Sequence, residues 1–325
     1  MKIFYVCPDF ALPSGGVKVL YRQVEILRAH QFEAYIMHVR KGFQPDWFPT
    51  TAPIVYMDDN PPIWPGDTLV IPETGTDFMK QFRDAPLKRV IIALNPHYIF
   101  KALPDNETWR DYNIDGVITS SEIMADFIRW SMAIENVVVI STAIEPDLFF
   151  YAPSQKKLQI AYMSRKDTAT PLIEKIFKAK KLGMDQFKFI PVGNLSMPDY
   201  AAVLRQSHLY LTTSPYEGTN LSVLEAMACG CLCLGYDGIG GKEYIVGAGP
   251  QQNFILAETM NYIDLAKLLY DAVQRLNRQD LGLNRVRQNA LATAARFTPA
   301  REEQAIVNFW SHYVEKTISQ PVSFS

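Results

Sequence analysis

Short apolar runs alternate with amphipathic stretches along the whole chain. KIFYV (2–6), AYIMHV (34–39), TLVIP (68–72), RVIIAL (89–94), GVITS (116–120) and VVVIS (137–141) are continuous β-branched and aromatic runs of strand length. Between them lie helix-like segments such as VKVLYRQVEILRAH (17–30) and SEIMADFIRWSMA (121–133). Unbroken apolar strands that alternate with helices predict a mostly parallel sheet covered on both faces. The alternation then starts again. LQIAYM (158–163), FKFIPVG (187–193), LYLTT (209–213), CLCLGY (231–236) and NFILA (253–257) alternate with TPLIEKIFKAKKLG (170–183), MPDYAAVLRQ (197–206) and LSVLEAMACG (221–230). The pattern predicts two successive doubly wound α/β domains, 1–150 and 151–298, joined near EPDLFFYAPSQKK (145–157), where Pro, Ser and Lys interrupt the periodicity. Beyond about residue 258 the pattern is helical, and Thr298-Pro299 is a start signal for a last helix over about 299–316.

Length and composition agree with this picture. A chain of 325 residues exceeds the size at which one core usually stops growing. With 48% hydrophobic and 20% charged residues and a net charge of −2, it carries no broad basic footprint for nucleic acid. Four cysteines make no disulfide framework, so a reducing compartment is expected. The apolar run before Pro8-Asp9 is too short for a signal-peptide core, and no stretch is long enough to span a membrane. The expected location is cytoplasmic.

In open α/β sheets ligands bind beyond the carboxyl ends of the strands, so the segments that follow strands carry the candidate chemistry. Ser14-Gly15-Gly16 is a turn without side-chain bulk directly ahead of a helix, suited to an anion near helix amides or simply to a tight connection. It lacks the spacing of the GxGxxG dinucleotide fingerprint. Arg165 and Lys166 follow a second-domain strand and could neutralise a diphosphate or stand as a solvated pair. In EGTNLSVLEAMACG (217–230), Gly218 precedes a helix that Thr219 or Asn220 can cap, with the amides of residues 219 to 222 free to point outward. Glu217 lies just outside this helix, and Glu225 lies within an otherwise apolar stretch. Ser222-x-x-Glu225 also fits a capping box, which would explain Glu225 with no ligand. Cys229, Cys231 and Cys233 are expected to be small buried hydrophobes. The basic run KIFKAKKLG is expected to form the solvated face of a helix.

SPYEGTNLSVLEAMACGCLCLGYDGIGGKEYI (214–245) resembles the donor-site signature of GT-B-fold retaining glycosyltransferases of the family 4, or group 1, type. The matching positions are Glu217, Glu225, the run Ala226 to Gly230, then Gly240-Gly241 and Glu243. Weaker resemblances cover Gly15-Gly16, DGVITSSEIMADFI (115–128), VVVISTAIEPDLF (137–149) and the lead-in 189–218. The resemblance implies two Rossmann-like domains facing each other across a cleft, with the last helix crossing back to the first. It implies that Glu225 accepts the ribose hydroxyls and that Glu217 holds hydroxyls of the donor hexose. The amides of Thr219, Asn220 and Leu221 would face the diphosphate and sugar, with Gly218 also at the donor, Arg165 and Lys166 neutralising phosphate and His97 near sugar and acceptor. One departure concerns the cations: the family separates its Arg and Lys by about four residues, and position 170 is Thr here. The donor implied first is a UDP-hexose such as UDP-glucose, transferred with retention to a glycan or lipid-linked acceptor. With a lipid-linked acceptor, a weak peripheral contact at the inner face of the cell membrane is open. No Asp-x-Asp occurs, Asp58-Asp59 being adjacent, so neither a metal nor a cofactor beyond the nucleotide sugar is expected. A nucleotide-sugar epimerase and a degenerate, non-catalytic GT-B protein are the alternatives.

Overall fold

A computed structural model describes residues 1–164, 169–180 and 186–319, with side chains through Val314. The chain divides into two compact units, Met1–Ala143 together with the chain from Pro299, and Ile144–Thr298. The first holds a sheet of seven strands: β1 (Ile3–Val6), β2 (Ala34–His38), β3 (Ile54–Tyr56), β4 (Thr68–Pro72), β5 (Lys88–Ala93), β6 (Gly116–Thr119) and β7 (Val137–Val139). Their order is β3-β2-β1-β4-β5-β6-β7, and every neighbouring pair is parallel. Ile3 stands opposite Ala34 on one side and Thr68 on the other. The direction of winding therefore reverses between β1 and β4.

The helices of this unit are α1 (Gly15–Ala29), α2 (Thr76–Gln81), α3 (Pro96–Ala102), α4 (Glu122–Met132) and, from the far end of the chain, α10 (Pro299–Ser319). Strand β3 and helices α2 and α3 are too short to leave a periodic signal, and the hydrophobic pattern does not predict them. One core packs Phe4, Leu69, Ile91 and Val117 against Met124 and Ile128 of α4, closed by Trp109 and Tyr112. On α10, Ile306 and Trp310 are fully buried. The Trp310 indole donates to the Tyr5 hydroxyl at 3.1 Å, and that hydroxyl donates to Gln23 Oε1 at 3.0 Å. An ion pair between Arg22 and Glu302 adds a second link from α1 to α10.

The second unit carries five parallel strands: β8 (Lys157–Tyr162), β9 (Lys188–Pro191), β10 (Ser207–Thr212), β11 (Leu232–Gly235) and β12 (Ile255–Leu256). Their order is β12-β11-β10-β8-β9, so winding reverses between β8 and β10. Its helices are α5 (Thr170–Lys180), α6 (Met197–Gln206), α7 (Leu221–Ala228), α8 (Tyr262–Asn277) and α9 (Leu281–Ala294). Ile160, Leu209, Leu211, Leu232 and Leu234 of the sheet pack with Ile173 of α5 and with Leu269 and Val273 of α8. Cys229, Cys231 and Cys233 are buried free thiols, all pushed up by burial, as small hydrophobes within strand and helix packing should be. On α5, Ile173 and Phe177 face inward while Lys175, Lys178 and Lys180 are exposed.

The division falls at 143/144 rather than near 150. The Ile144 amide donates to the Phe297 carbonyl at 2.9 Å, and the Phe149 ring stands edge-on to Tyr200. Both contacts tie the segment before the Pro-Ser-Lys interruption to the second unit. Among the described residues, no helix is long and apolar enough to cross a membrane.

Candidate nucleotide-sugar site

A doubly wound sheet opens a crevice where the strand order reverses, because the two flanking loops leave on opposite faces. In the second unit that point lies between β8 and β10. The loop leaving β10 carries Glu217, Gly218, Thr219 and Asn220 into α7. The loop leaving β11 carries Gly238 to Glu243 alongside it. The Glu217 carbonyl accepts the amides of Ile239 and Gly240, both at 3.1 Å. Gly240 lies so close to the first loop that a Cβ there would sit 1.5 Å from the Gly218 carbonyl oxygen. Gly235 meets a similar limit, since its Cβ would fall 1.8 Å from the Thr212 carbonyl oxygen, and its φ is +132°. The glycines after β11 thus let one loop lie directly against the other.

Asn220 is the residue ahead of α7, and it adopts the left-handed conformation (φ 58°, ψ 51°) with no side-chain cap bond. Asparagine tolerates this region better than most residues. Its carbonyl accepts the Tyr244 hydroxyl at 2.9 Å, fixing the turn from the β11 side. Ser222 is the second residue of α7, not its cap, and its hydroxyl donates to Asn220 Oδ1 at 3.3 Å. The capping-box explanation of Glu225 therefore does not hold. Glu225 is only 7% exposed, and its Oε2 accepts the Tyr200 hydroxyl at 2.8 Å. Burial, then the charge of Glu225, hold the Tyr200 phenol well above its usual range, so it remains a donor.

The predicted second-unit residues Glu217, Gly218, Thr219, Asn220, Leu221 and Glu225 thus lie on one turn and its helix. Arg165 and Lys166 lie outside the described residues. In the first unit, Gly15 and Gly16 open α1, which follows β1 after the loop 7–14. A Cβ at Gly15 would meet nothing within 4 Å, and one at Gly16 would make ordinary contact with Leu94 at 3.6 Å. His97 is exposed near the start of α3, where Asn95 Oδ1 accepts its amide at 3.0 Å. Glu73, at the carboxyl end of β4, accepts the Asn95 amide at 3.0 Å. Burial pushes the Glu73 carboxyl up to about 7, partly offset by backbone amides at 73, 94 and 95. Among the described residues, no group of three or more His, Cys, Asp or Glu side chains could hold a metal ion.

Sequence reasoning missed Tyr200, Tyr244 and Glu73. Tyr200 shares a helix face with Leu204, which marks it as core. Tyr244 lies just beyond the Gly-Gly turn. Glu73 follows a strand, and that position was the one available signal.

The two parallel sheets, each with a point of reversal in its strand order, define an α/β protein of the GT-B fold. Residues 174–282 match the family Glycosyl transferases group 1. This span includes both glutamates and the Gly-Gly turn. The chain is 23% identical over 199 residues to an alpha-1,6-glucosyltransferase of Actinobacillus pleuropneumoniae serotype 7 (strain AP76), covering 58% of each protein. Among solved structures, sucrose-phosphate synthase from Thermosynechococcus elongatus matches with a TM-score of 0.73 at 13% identity, over 98% of this chain and 100% of that one. Anabaena HepE in complex with UDP-glucose matches with a TM-score of 0.68 at 15% identity, over 96% of this chain and 100% of that one.

Proposed function

We propose that this chain is a retaining glycosyltransferase that moves a hexose from a nucleotide-sugar donor to a glycan or lipid-linked acceptor. The observation that carries the reading is the buried carboxylate of Glu225 one turn inside α7, behind a loop that the Gly240 turn holds in place. An ionised carboxylate has about four acceptor positions, and the Tyr200 hydroxyl takes one of them on Oε2. A ribose diol supplies two donors to such a group. The donor expected first is a UDP-hexose such as UDP-glucose. Support comes from the solved complex of the HepE neighbour with UDP-glucose and from the glucosyltransferase relative.

In this reading the α7 amides, with the positive end of the helix dipole behind them, meet the diphosphate. Breaking the sugar–phosphate bond builds negative charge on the leaving nucleotide. Preorganised amides and cations stabilise that charge, and loss of one such donor costs about 100- to 1000-fold in rate. Arg165 and Lys166 are the cations assigned to it, and in the absence of an Asp-x-Asp sequence no metal is assigned. Glu217 orients the hexose hydroxyls and is not a nucleophile. On the first unit, His97 is assigned to the acceptor side. A Cβ at Gly15 would meet open space and one at Gly16 only ordinary contact, so packing within the fold does not demand glycine at either, which suits close approach of a ligand.

The test is release of UDP from a panel of UDP-hexoses with glycan and lipid-linked acceptors. Turnover should persist in EDTA. Glu217→Gln should abolish turnover while keeping UDP binding. Tight UDP binding with no turnover on any donor and acceptor would overturn the catalytic reading.

A further inference from the structure

We propose that Tyr200 is a positioning residue of the nucleotide site, setting the Glu225 carboxylate to receive the two ribose hydroxyls of a nucleoside diphosphate. This rests on the reading of Glu225 as the ribose acceptor given above. The two residues are 25 apart in sequence and come from different helices, yet their bond is 2.8 Å and buried. The Tyr200 end is firmly held. Its ring is 6% exposed and lies edge-on to Phe149, with centroids 5.7 Å apart. Its backbone amide donates to the Ser196 carbonyl at 2.8 Å, in the first turn of α6. The Ser196 hydroxyl caps that turn by accepting the Asp199 amide.

The chemistry of the pair points beyond packing. An ionised carboxylate is acceptor-only, with two oxygens and about four lone-pair positions. A phenol that stays protonated occupies part of Oε2 and fixes the plane of the carboxylate without adding a positive charge. A cis-diol needs two acceptor positions in a set orientation, and a pre-set carboxylate loses less rotamer freedom on binding. Tyr200 would thus act through Glu225, on the ribose alone and not on diphosphate or sugar.

Titration calorimetry with UDP and with 2′,3′-dideoxy-UDP separates this role from a structural one. The wild-type protein should prefer UDP, and Glu225→Gln should remove most of that preference. Tyr200→Phe should lower the preference about tenfold, the scale of one hydrogen bond to a charged group, with dideoxy-UDP affinity unchanged. Phe149→Leu loosens the ring without removing the hydroxyl and should give a smaller fall in the same ratio; it is the working variant if Tyr200→Phe does not fold. A ratio unchanged in the Tyr200 and Phe149 variants but lost in Glu225→Gln overturns the inference and leaves the ribose reading standing. No preference in the wild type, or full preference in Glu225→Gln, overturns the ribose reading and the inference with it.

Discussion

The carboxylate of Glu73 accepts the backbone amide of Asn95 at 3.0 Å, and the side chain of Asn95 accepts the amide of His97 at 3.0 Å. One buried acid at the end of β4 therefore fixes the turn that presents His97. Burial raises that acid from 4.5 to about 7. Between those values the native state holds the proton and the unfolded state does not. The contribution of this group to stability is thus fully present below about pH 4.5 and is lost as pH rises through about 7, by at most about 3 kcal/mol. Glu73→Gln keeps an acceptor for Asn95 and removes the titration. Urea midpoints from pH 5 to 8 should decline in the wild type and lack that component of the slope in the variant. Equal slopes would contradict the account.

Gly240 and Gly15 should respond in opposite ways to alanine. At Gly240 the new Cβ meets backbone at 1.5 Å, and backbone cannot swing aside as a side-chain end can. Gly240→Ala should cost about 2 kcal/mol or more and weaken UDP binding by displacing the Glu217 loop. At Gly15, the first residue of α1, nothing lies within 4 Å. Gly15→Ala should leave the melting temperature unchanged or raise it, since alanine favours helix by up to about 1 kcal/mol. A fall in turnover without a fall in stability would then mark Gly15 as a point of ligand approach.

These glycines show how much the sequence made legible. Each is visible as a glycine in a loop after a strand, but which one is sterically obligatory depends on a carbonyl more than twenty residues away. The long apolar runs revealed both sheets, because a strand buried on two faces leaves an unbroken signature. Strand β3 and helices α2 and α3 left none, being three, six and seven residues long. At Glu225 the local pattern allowed a capping box or a ligand. The left-handed Asn220 starts the helix two residues before Ser222 and removes the first option. The partner that replaces it, Tyr200, carries no mark in sequence beyond the face it shares with Leu204.

Asn220 itself should tolerate glycine better than a branched residue. Its φ of 58° costs an ordinary L-residue about 1–2 kcal/mol, and glycine nothing. The Tyr244 hydroxyl binds its carbonyl, which every substitution keeps. Asn220→Gly loses the side-chain bonds to Ser222 and Thr212 but no conformational freedom it needs, so it should cost about 1 kcal/mol at most and retain UDP binding. Asn220→Val should lose about 1–2 kcal/mol or more and bind UDP more weakly. Thermal melts with and without UDP distinguish the two. Equal melting temperatures for the two variants would mean that the turn is not held in the left-handed region.

The last helix is a structural member of the first unit, and its removal should be felt there. Trp310 is fully buried, and its indole donates to Tyr5 on the strand at the point of reversal in that sheet. Truncating a buried tryptophan to alanine costs about 3–5 kcal/mol. Trp310→Ala should lower hydrogen-exchange protection in peptides from β1, α1 and β4. Peptides from β10, β11 and α7 should keep theirs, because the core of the second unit is built from its own strands and helices. Trp310→Phe keeps most of the apolar volume and removes only the bond to Tyr5. Its cost should be nearer 1 kcal/mol, the scale of one neutral hydrogen bond. If protection fell equally in both units, the two cores would not be independent, and the assignment of α10 to the first alone would be wrong.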